Sequence, residues 1–243
     1  MKNKILAIIP ARKNSKRIKN KNLKKLNGKP LIFYTIKHAL ESKIINRIIV
    51  STDSLSIKKY SNKFGNIAPF IRPKNLAGDK VSDEPVIKHA CDWVEKNENY
   101  FPNIVIILRP TAPLRNKYLI SNCAKKLIKN TATSVRSARD IGHAHPYWMY
   151  KIKKDGSIKE FIKGKNFFKY YQSQKLPKLV KHDGYCDVLL RKNLINKKTS
   201  SKSLANLYGK KMFYEINDDK YFINIDEPED FNLASLIIKS KND

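Results

Sequence analysis

The chain has 243 residues, of which 41% are hydrophobic and 10% aromatic, and this composition argues against a disordered protein. Its 50 basic and 21 acidic residues give a formal net charge of +29, so the expected partners are anions: nucleic acid, anionic lipid, or small phosphates and carboxylates. The three cysteines lack metal-ligand spacing, and the N-terminal apolar run is too short for a signal segment. We therefore expect a soluble, cytoplasmic protein without disulfides or a membrane span.

Strands and helices alternate along the first half of the chain. Continuous apolar runs predict strands buried on both faces at Ile5–Pro10, Arg47–Ser51 and residues 104–108, with a short strand at 132–135. Capping residues and apolar side chains at helical spacing predict helices from Pro30, from a cap at residues 52–54 to about residue 64, and over residues 83–97 and 118–129. This alternation predicts a doubly wound, mostly parallel α/β sheet, a Rossmann-like fold.

The pattern changes in the second half. Residues 139–182 contain clustered His, Pro and aromatic side chains and a hairpin turn signal at Asp155-Gly156, which predicts an insertion within a single domain of residues 1–243. Further strands are predicted at residues 187–190, 212–216 and 221–225, and a last helix is predicted to start at Pro228.

Polar and charged side chains follow the apolar strands, where ligands bind in an open parallel sheet. The loop at residues 10–22 places six basic residues between Arg12 and Lys21, together with Asn14 and Ser15. Arginine can clamp a phosphate with two parallel hydrogen bonds, and lysine supplies a point charge. No glycine occurs before Gly28, so this is neither a Walker A loop nor a dinucleotide-binding turn. The loop therefore predicts a phosphate site built mainly from side chains.

Other polar residues have simpler interpretations. Asp226 either caps the last helix or binds Mg²⁺, which takes one or two protein carboxylates plus phosphate oxygens. The remaining candidates are interpreted as a helix N-cap (Asp53), a turn (Asp183-Gly184) and a loop packed with aromatic side chains (His143 and His145).

Several motifs, in order over nearly the whole chain, together resemble the acylneuraminate cytidylyltransferases. They are Ile8-Ile9-Pro10-Ala11-Arg12, Asn14-Ser15-Lys16, Lys21-Asn22, Gly28-Lys29-Pro30-Leu31, Ile49-Val50-Ser51-Thr52-Asp53, Arg72-Pro73 with Leu76, Ala77 and Asp79, Leu108 to Arg115, and Asp226-Glu227-Pro228-Glu229-Asp230.

This resemblance implies a nucleotide-diphosphosugar transferase fold, Mg²⁺ as cofactor, and the transfer of CMP from CTP to a nine-carbon 2-keto sugar acid. It also implies a homodimer in which the insertion of one chain completes the sugar site of the other. The resemblance implies that Arg12 and Lys21 contact the phosphates and the leaving group, and that Asn22 and Arg72 contact the cytosine. It implies metal binding by Asp226 and Asn224 and sugar binding by Gln174 and Asp187. Supporting or nucleotide contacts are implied for Ala11, Asn14, Ser15, Lys16 and Arg109.

Five positions depart from the usual pattern of these enzymes. Arg17 replaces the usual glycine, Arg109 replaces glutamine, and Asn224 replaces aspartate. Ser173 replaces the arginine that would pair with the sugar carboxylate, and Asp187 replaces tyrosine. The nucleotide half is thus better preserved than the sugar half, which leaves sialic acid and legionaminic- or pseudaminic-type acids open as substrates.

Three other functions stay open at this point. A 3-deoxy-manno-octulosonate cytidylyltransferase would share the fold and chemistry. A nucleic-acid-binding protein would explain the charge, but no RNP-type motif, zinc finger or helix-turn-helix is recognisable, so neither a nucleic-acid nor a membrane partner is expected. A family member that binds CTP without turnover is the third.

Overall fold

A computed structural model describes residues 3–142, 144–163, 168–195 and 207–240. Its centre is a six-stranded sheet with strand order β10-β6-β9-β5-β1-β4. The strands are β1 (Ile5–Pro10), β4 (Arg47–Ser51), β5 (Ile104–Ile107), β6 (Ser134–Asp140), β9 (Val180–Leu190) and β10 (Met212–Ile216). Strand β1 runs parallel to β4 and β5, and β6 runs parallel to β10, whereas β9 is antiparallel to both β5 and β6. The predicted mostly parallel α/β fold is confirmed.

Five α-helices that lie wholly within the described residues accompany the sheet. They are α1 (Leu31–Glu41), α2 (Leu55–Ser61), α3 (Asp83–Glu98), α4 (Leu119–Lys129) and α5 (Pro228–Ser240). The side chain of Ser54 caps α2, since its Oγ accepts a hydrogen bond from the amide of Ile57 at 3.4 Å. None of these helices is long and apolar enough to cross a membrane.

The apolar strands are buried on both faces because successive side chains point to opposite sides of the sheet. Ala7 and Ile9 pack in one cluster with α1 and α4, whereas Leu6 and Ile8 pack in a second cluster with α3. A third cluster joins α5 to Ile18, which lies in the basic loop. The C-terminal helix α5 therefore packs against the basic loop.

The structure corrects the predicted elements of the second half. The strand predicted at residues 132–135 is β6, which extends to Asp140, and the one predicted at 187–190 is only the end of β9. Residues 221–225 do not form a strand. Instead, the Tyr185 hydroxyl donates to the carbonyl of Ile223 and accepts from its amide, and the Ile225 amide donates to the Thr111 carbonyl at 2.8 Å. This segment is thus held by single contacts rather than by a sheet ladder.

The predicted insertion corresponds to the chain between β6 and β9, and its predicted ends, 139 and 182, lie within these two strands. It contains a hairpin of β7 (Tyr150–Ile152) and β8 (Ile158–Glu160), so the turn signal at Asp155-Gly156 is confirmed. A second small hairpin, β2 (Lys25–Leu26) and β3 (Lys29–Pro30), precedes α1.

Candidate active site

A cleft of about 370 Å³ opens at the carboxyl ends of β1 and β5. Eight of the predicted site residues line it: Arg12, Ser15, Lys16, Lys21, Asn22, Arg72, Arg109 and Asp226. The other predicted residues, Ala11, Asn14, Gln174, Asp187 and Asn224, are not part of its lining. The structure thus brings most of the predicted residues to one cleft and leaves five outside its lining.

The basic loop is fixed to the neighbouring strand by its backbone. The amide of Ala11 donates to the carbonyl of Ser51 at 2.9 Å, and the amide of Lys13 donates to the carboxylate of Asp53 at 2.7 Å. Asp53 therefore anchors the loop, and its interpretation as the N-cap of α2 is wrong. Arg17 is not among the described residues with positive φ, so this position of the loop does not require glycine.

Two cations of the loop share one carboxylate across the cleft. The guanidinium of Arg12 bonds Oδ1 of Asp79, and Nζ of Lys16 lies 3.2 Å from Oδ2. A hydrogen bond from Lys16 and the charges of both cations together outweigh the opposing effect of burial and hold the pKa of Asp79 below its ordinary value. The structure thus places an internal anion where the sequence predicts bound phosphate.

Lys21 joins the loop to the segment before α5. Its Nζ donates to the carbonyl of Ile225 at 2.7 Å and lies 3.3 Å from Oδ1 of Asp226. The amide of Asp226 is instead bound by the carboxylate of Asp230 at 2.7 Å. Asp226 is therefore not the cap of α5, and its carboxylate is left to face Lys21 and the cleft.

Asn22 and Arg72 also line the cleft. Asn22 is buried and its Nδ2 donates to the carbonyl of Arg12 at 2.9 Å. The guanidinium of Arg72 bonds the backbone carbonyl of Ser51 and, at 3.1 Å, its hydroxyl. Burial lowers the pKa of Arg72, with a raising effect from nearby Asp53. These contacts fix the orientation of both side chains in the cleft.

Arg109 is held between two carboxylates. Its Nη2 lies 2.5 Å from Asp83, the first residue of α3, and its Nη1 lies 2.9 Å from Asp187 on β9. Asp187 has no exposed surface and also accepts hydrogen bonds from Arg136 at 3.1 Å and from the hydroxyl of Tyr208 at 3.0 Å. This burial argues against the direct sugar contact that the sequence predicts for Asp187.

The loop after β5 is supported from behind by a buried arginine. Arg115 donates to the carbonyls of Tyr185 at 2.7 Å and Arg109 at 3.0 Å, and its Nη1 lies 3.3 Å from Nδ1 of His38. Burial lowers the pKa of Arg115 to about 10, against smaller raising effects from groups such as Tyr185. This side chain fixes the backbone of the segment that presents Arg109.

Asp183 has a structural role that the sequence did not indicate. Its buried carboxylate accepts hydrogen bonds from the hydroxyl of Ser137, from the amide of Tyr185 at 2.9 Å and from Nδ2 of Asn217 at 3.0 Å. The interpretation of residues 183–184 as a turn is wrong, because they lie within β9. The prediction that His145 packs with aromatic side chains is confirmed, because the centroids of its ring and that of Tyr147 are 4.7 Å apart. Residue 143, which was predicted to lie in the same loop, is outside the described residues.

The residues at the predicted metal position fit an ion that is shared with a ligand. The described residues contain no group of three His, Cys, Asp or Glu side chains that could hold a metal. Asp226 offers a carboxylate that is 44% exposed, and Oδ1 of Asn224 is buried without a hydrogen-bond partner in the described structure. One carboxylate and one amide oxygen suit Mg²⁺ only if phosphate oxygens or waters complete its shell.

Sequence analysis missed three acidic partners of the cleft cations. Asp79 and Glu227, which lies 2.7 Å from Arg17, were noted only as members of family motifs, and Asp83 only as the start of a helix. For Asp79 and Glu227 the available signal was their place in motifs that also contain predicted ligand-binding residues.

Ligands of an open α/β sheet bind at the carboxyl ends of its strands, and the cations that this chain gathers there suit the phosphates of a nucleotide. A family model described as "Cytidylyltransferase" matches residues 6–233. The chain therefore belongs to the cytidylyltransferase family, and the family predicted from its motifs is confirmed. Members of this family typically use a divalent metal ion.

Among curated proteins, the chain is similar to enzymes for nine-carbon acids. It is 39% identical to the pseudaminic acid cytidylyltransferase of Campylobacter jejuni (strain NCTC 11168) over 58% of this chain and 60% of that protein. It is also 39% identical to the CMP-N,N'-diacetyllegionaminic acid synthase of Legionella pneumophila over 64% of this chain and 66% of that protein. The matched region thus spans about 60% of the length of these relatives.

Solved structures share the fold at lower identity. CMP:2-keto-3-deoxy-manno-octonic acid synthetase complexed with CTP superposes with a TM-score of 0.72 and 17% identity, covering 98% of this chain and all of the other. The 4-diphosphocytidyl-2C-methyl-D-erythritol synthase of Anaerococcus prevotii superposes with a TM-score of 0.62 and 13% identity, covering 98% of this chain and 99% of that one.

Proposed function

We propose that this protein transfers CMP from CTP to the anomeric hydroxyl of an acidic nonulosonic sugar and releases pyrophosphate. The single observation that carries the proposal is the cationic loop after β1, which faces Asp226 across the cleft and lies in a chain of the cytidylyltransferase family. Relatives that act on pseudaminic and legionaminic acids support the choice of sugar class. CTP is a cytoplasmic nucleotide, so the proposed reaction is cytoplasmic.

In this proposal the sugar oxygen forms a bond to the α-phosphorus of CTP, and the bond from that phosphorus to the bridging oxygen breaks. Pyrophosphate takes the electrons of the broken bond, and the hydroxyl proton is released to solvent. Arg12, Lys16 and Lys21 stabilise the negative charge that develops on the phosphates, the effect that dominates such transfers. Arg72 and Asn22 contact the cytosine.

Asp226 and Asn224 are the residues that would hold a magnesium ion. Such an ion supplies charge neutralisation and orients the phosphates. The position of Asp226 beside Lys21 supports this role, because a metal and the ammonium group would then flank the same phosphates.

The segment between β6 and β9 is proposed to form a homodimer interface. The hairpin exposes apolar side chains, with Ile152 80% and Ile158 58% exposed. Exposed apolar clusters of this kind mark protein contacts. Gln174 lies in this segment and outside the cleft lining, so its proposed sugar contact is made across the dimer. Light scattering of the wild type and of Ile152→Asp tests this interface: a dimer that the substitution dissociates is expected, and a wild-type monomer contradicts it.

The proposed reaction is tested by measuring pyrophosphate release with Mg²⁺ and a matrix of substrates. The nucleotides are CTP, UTP, ATP and GTP, and the acids are N-acetylneuraminic, N,N'-diacetyllegionaminic, pseudaminic and 3-deoxy-manno-octulosonic acid. Turnover with CTP and at least one nine-carbon acid is expected. Turnover with the eight-carbon acid alone would replace the proposed sugar class, and no turnover with any acid would contradict the activity.

A further inference from the structure

Asp187 is the centre of a buried ionic network that reaches the cleft through Arg109. Its carboxylate has no exposed surface and lies 2.9 Å from Nη1 of Arg109 and 3.1 Å from Nε of Arg136. The hydroxyl of Tyr208 donates to it at 3.0 Å, and the guanidinium of Arg136 stacks over the Tyr208 ring at 4.2 Å. A buried carboxylate with this many donors fixes their positions.

Of these donors, Arg109 is the one that lines the cleft, and its side chain is 23% exposed. Asp187 holds Nη1 and Asp83 holds Nη2, so the guanidinium is fixed at both ends of its fork. Arginine carries five N–H donors. The two carboxylates leave donors of Arg109 available to a ligand.

The position of Arg109 along the sheet indicates which substrate it meets. Arg72 bonds Ser51 at the end of β4, the basic loop follows β1, and Arg109 follows β5, in the order in which these strands lie. The next strand is β9, which follows the insertion in the chain. The phosphate loop therefore lies between Arg109 and Arg72, one of the proposed base contacts, and Arg109 is on the side of the insertion that is proposed to complete the sugar site.

The charge state of the network supports a fixed cation. Burial would raise the pKa of Asp187, but the charges of Arg109, His182 and Arg136 outweigh this and lower it. The pKa of Arg109 rises because Asp187 and Asp83 outweigh the effect of burial. Burial lowers the pKa of His182, against the attraction of Asp187. Asp187 and Arg109 are thus an ion pair over the whole neutral range.

We propose that Asp187 is a positioning residue for the acidic sugar: it orients Arg109 so that the free N–H donors of this guanidinium bind the carboxylate of the second substrate. This inference rests on the proposed function. It assigns Arg109 to the sugar rather than to the nucleotide, and it gives Asp187 an indirect role.

The test is a double-mutant cycle with Arg109→Gln, Asp187→Asn and the double variant, assayed with CTP and the nine-carbon acid that the wild type uses best. Each single substitution is expected to raise KM for the acid by about tenfold or more, the range for a lost hydrogen bond to a charged group, while KM for CTP stays within about twofold. The double variant is expected to match Arg109→Gln, because Asp187 acts through Arg109.

Arg136→Gln is the matched control, since it removes a different partner of Asp187 that is not part of the cleft lining. We expect it to lower thermal stability and to leave KM for the acid within about threefold. If Asp187→Asn does not fold, Arg109→Lys takes its place in the test. Lysine keeps the positive charge but lacks the paired N–H donors of the guanidinium, so this substitution is expected to raise KM for the acid alone.

Additive effects in the cycle, an unchanged KM for the acid, or an increase in KM for CTP alone would overturn the inference while leaving the proposed function intact. A wild-type protein that turns over no acid would overturn the proposed function, and this inference with it.

Discussion

His38 provides a pH-dependent test of how the loop that carries Arg109 is supported. It lies on α1 with Nδ1 3.3 Å from Nη1 of Arg115, the buried side chain that bonds the carbonyl of Arg109. Burial and the neighbouring charges of Arg115 and Lys37 lower the pKa of His38 from 6.5 to about 3. The folded protein therefore holds this imidazole neutral at a pH at which the unfolded chain protonates it.

The direction of the effect follows from proton linkage. The unfolded chain binds the proton first as the pH falls below 6.5, so the stability that depends on neutral His38 is complete above that pH and is lost toward pH 3. Each pH unit in this window costs up to about 1.4 kcal/mol. At about pH 5 the expected loss is therefore about 2 kcal/mol, a large part of the stability of a typical domain.

The assay is urea unfolding of the wild type and of His38→Gln at about pH 7.5 and about pH 5, a range that spans the upper part of this window. Glutamine can accept a hydrogen bond from Arg115 but does not titrate. All other groups titrate alike in both proteins, so the difference in pH dependence isolates His38. We expect the wild type to lose about 2 kcal/mol more than the variant. Equal losses in the two proteins would refute the assignment of a neutral, partly buried His38.

Two further substitutions test the cations of the cleft. Lys21→Met is expected to lower kcat by about 10²–10³-fold, the usual cost of losing one preorganised donor to developing charge. It also removes the ammonium group 3.3 Å from Asp226. Steady-state kinetics with CTP measure the change in kcat. Asp79→Asn is expected to tighten CTP binding a few-fold, because the carboxylate competes with phosphate for Arg12 and Lys16; calorimetric titration with CTP and Mg²⁺ measures this.

Both experiments have the same control, Lys37→Met, which removes a lysine of α1 that is 55% exposed and lies outside the cleft lining. Its kinetics and CTP affinity are expected to match the wild type. An unchanged kcat in Lys21→Met would remove this residue from the proposed reaction. Weaker CTP binding in Asp79→Asn would show that Asp79 organises the loop rather than competing with the ligand.

The parts of the fold that the sequence predicted are those whose burial is uniform. Strands β1 and β4 were predicted with their observed bounds because their central residues, 5–9 and 48–50, are all apolar and belong to the core clusters. Strand β9 was predicted only in part, because its first half contains Asp183 and Gly184. A carboxylate is present in this strand for a local reason, because Asp183 accepts hydrogen bonds from Ser137 and Asn217. A buried hydrogen-bond network therefore concealed the strand.

The candidate site was predictable where it is local in sequence. The basic loop follows its strand directly, so its cations and their place in the cleft could be predicted from residues 10–22. Their partners could not be predicted, because Arg12 and Asp79 are 67 positions apart and Arg109 and Asp187 are 78 apart. Only the folded sheet brings these pairs together. The sequence alone therefore does not show which acidic residues pair with a cation and which bind a ligand.

The charges of the cleft argue that its ligand is a compact polyanion rather than an extended one. Six basic and three acidic residues line the cleft, an excess of three positive charges, whereas the whole chain carries +29. Most of the excess charge is therefore elsewhere and says little about this site. Within the cleft, Asp79 and Asp226 each pair with a cation, so a ligand must offer several anionic oxygens at once to replace them. A triphosphate partly neutralised by a divalent ion meets this demand, and a single carboxylate or phosphate does not.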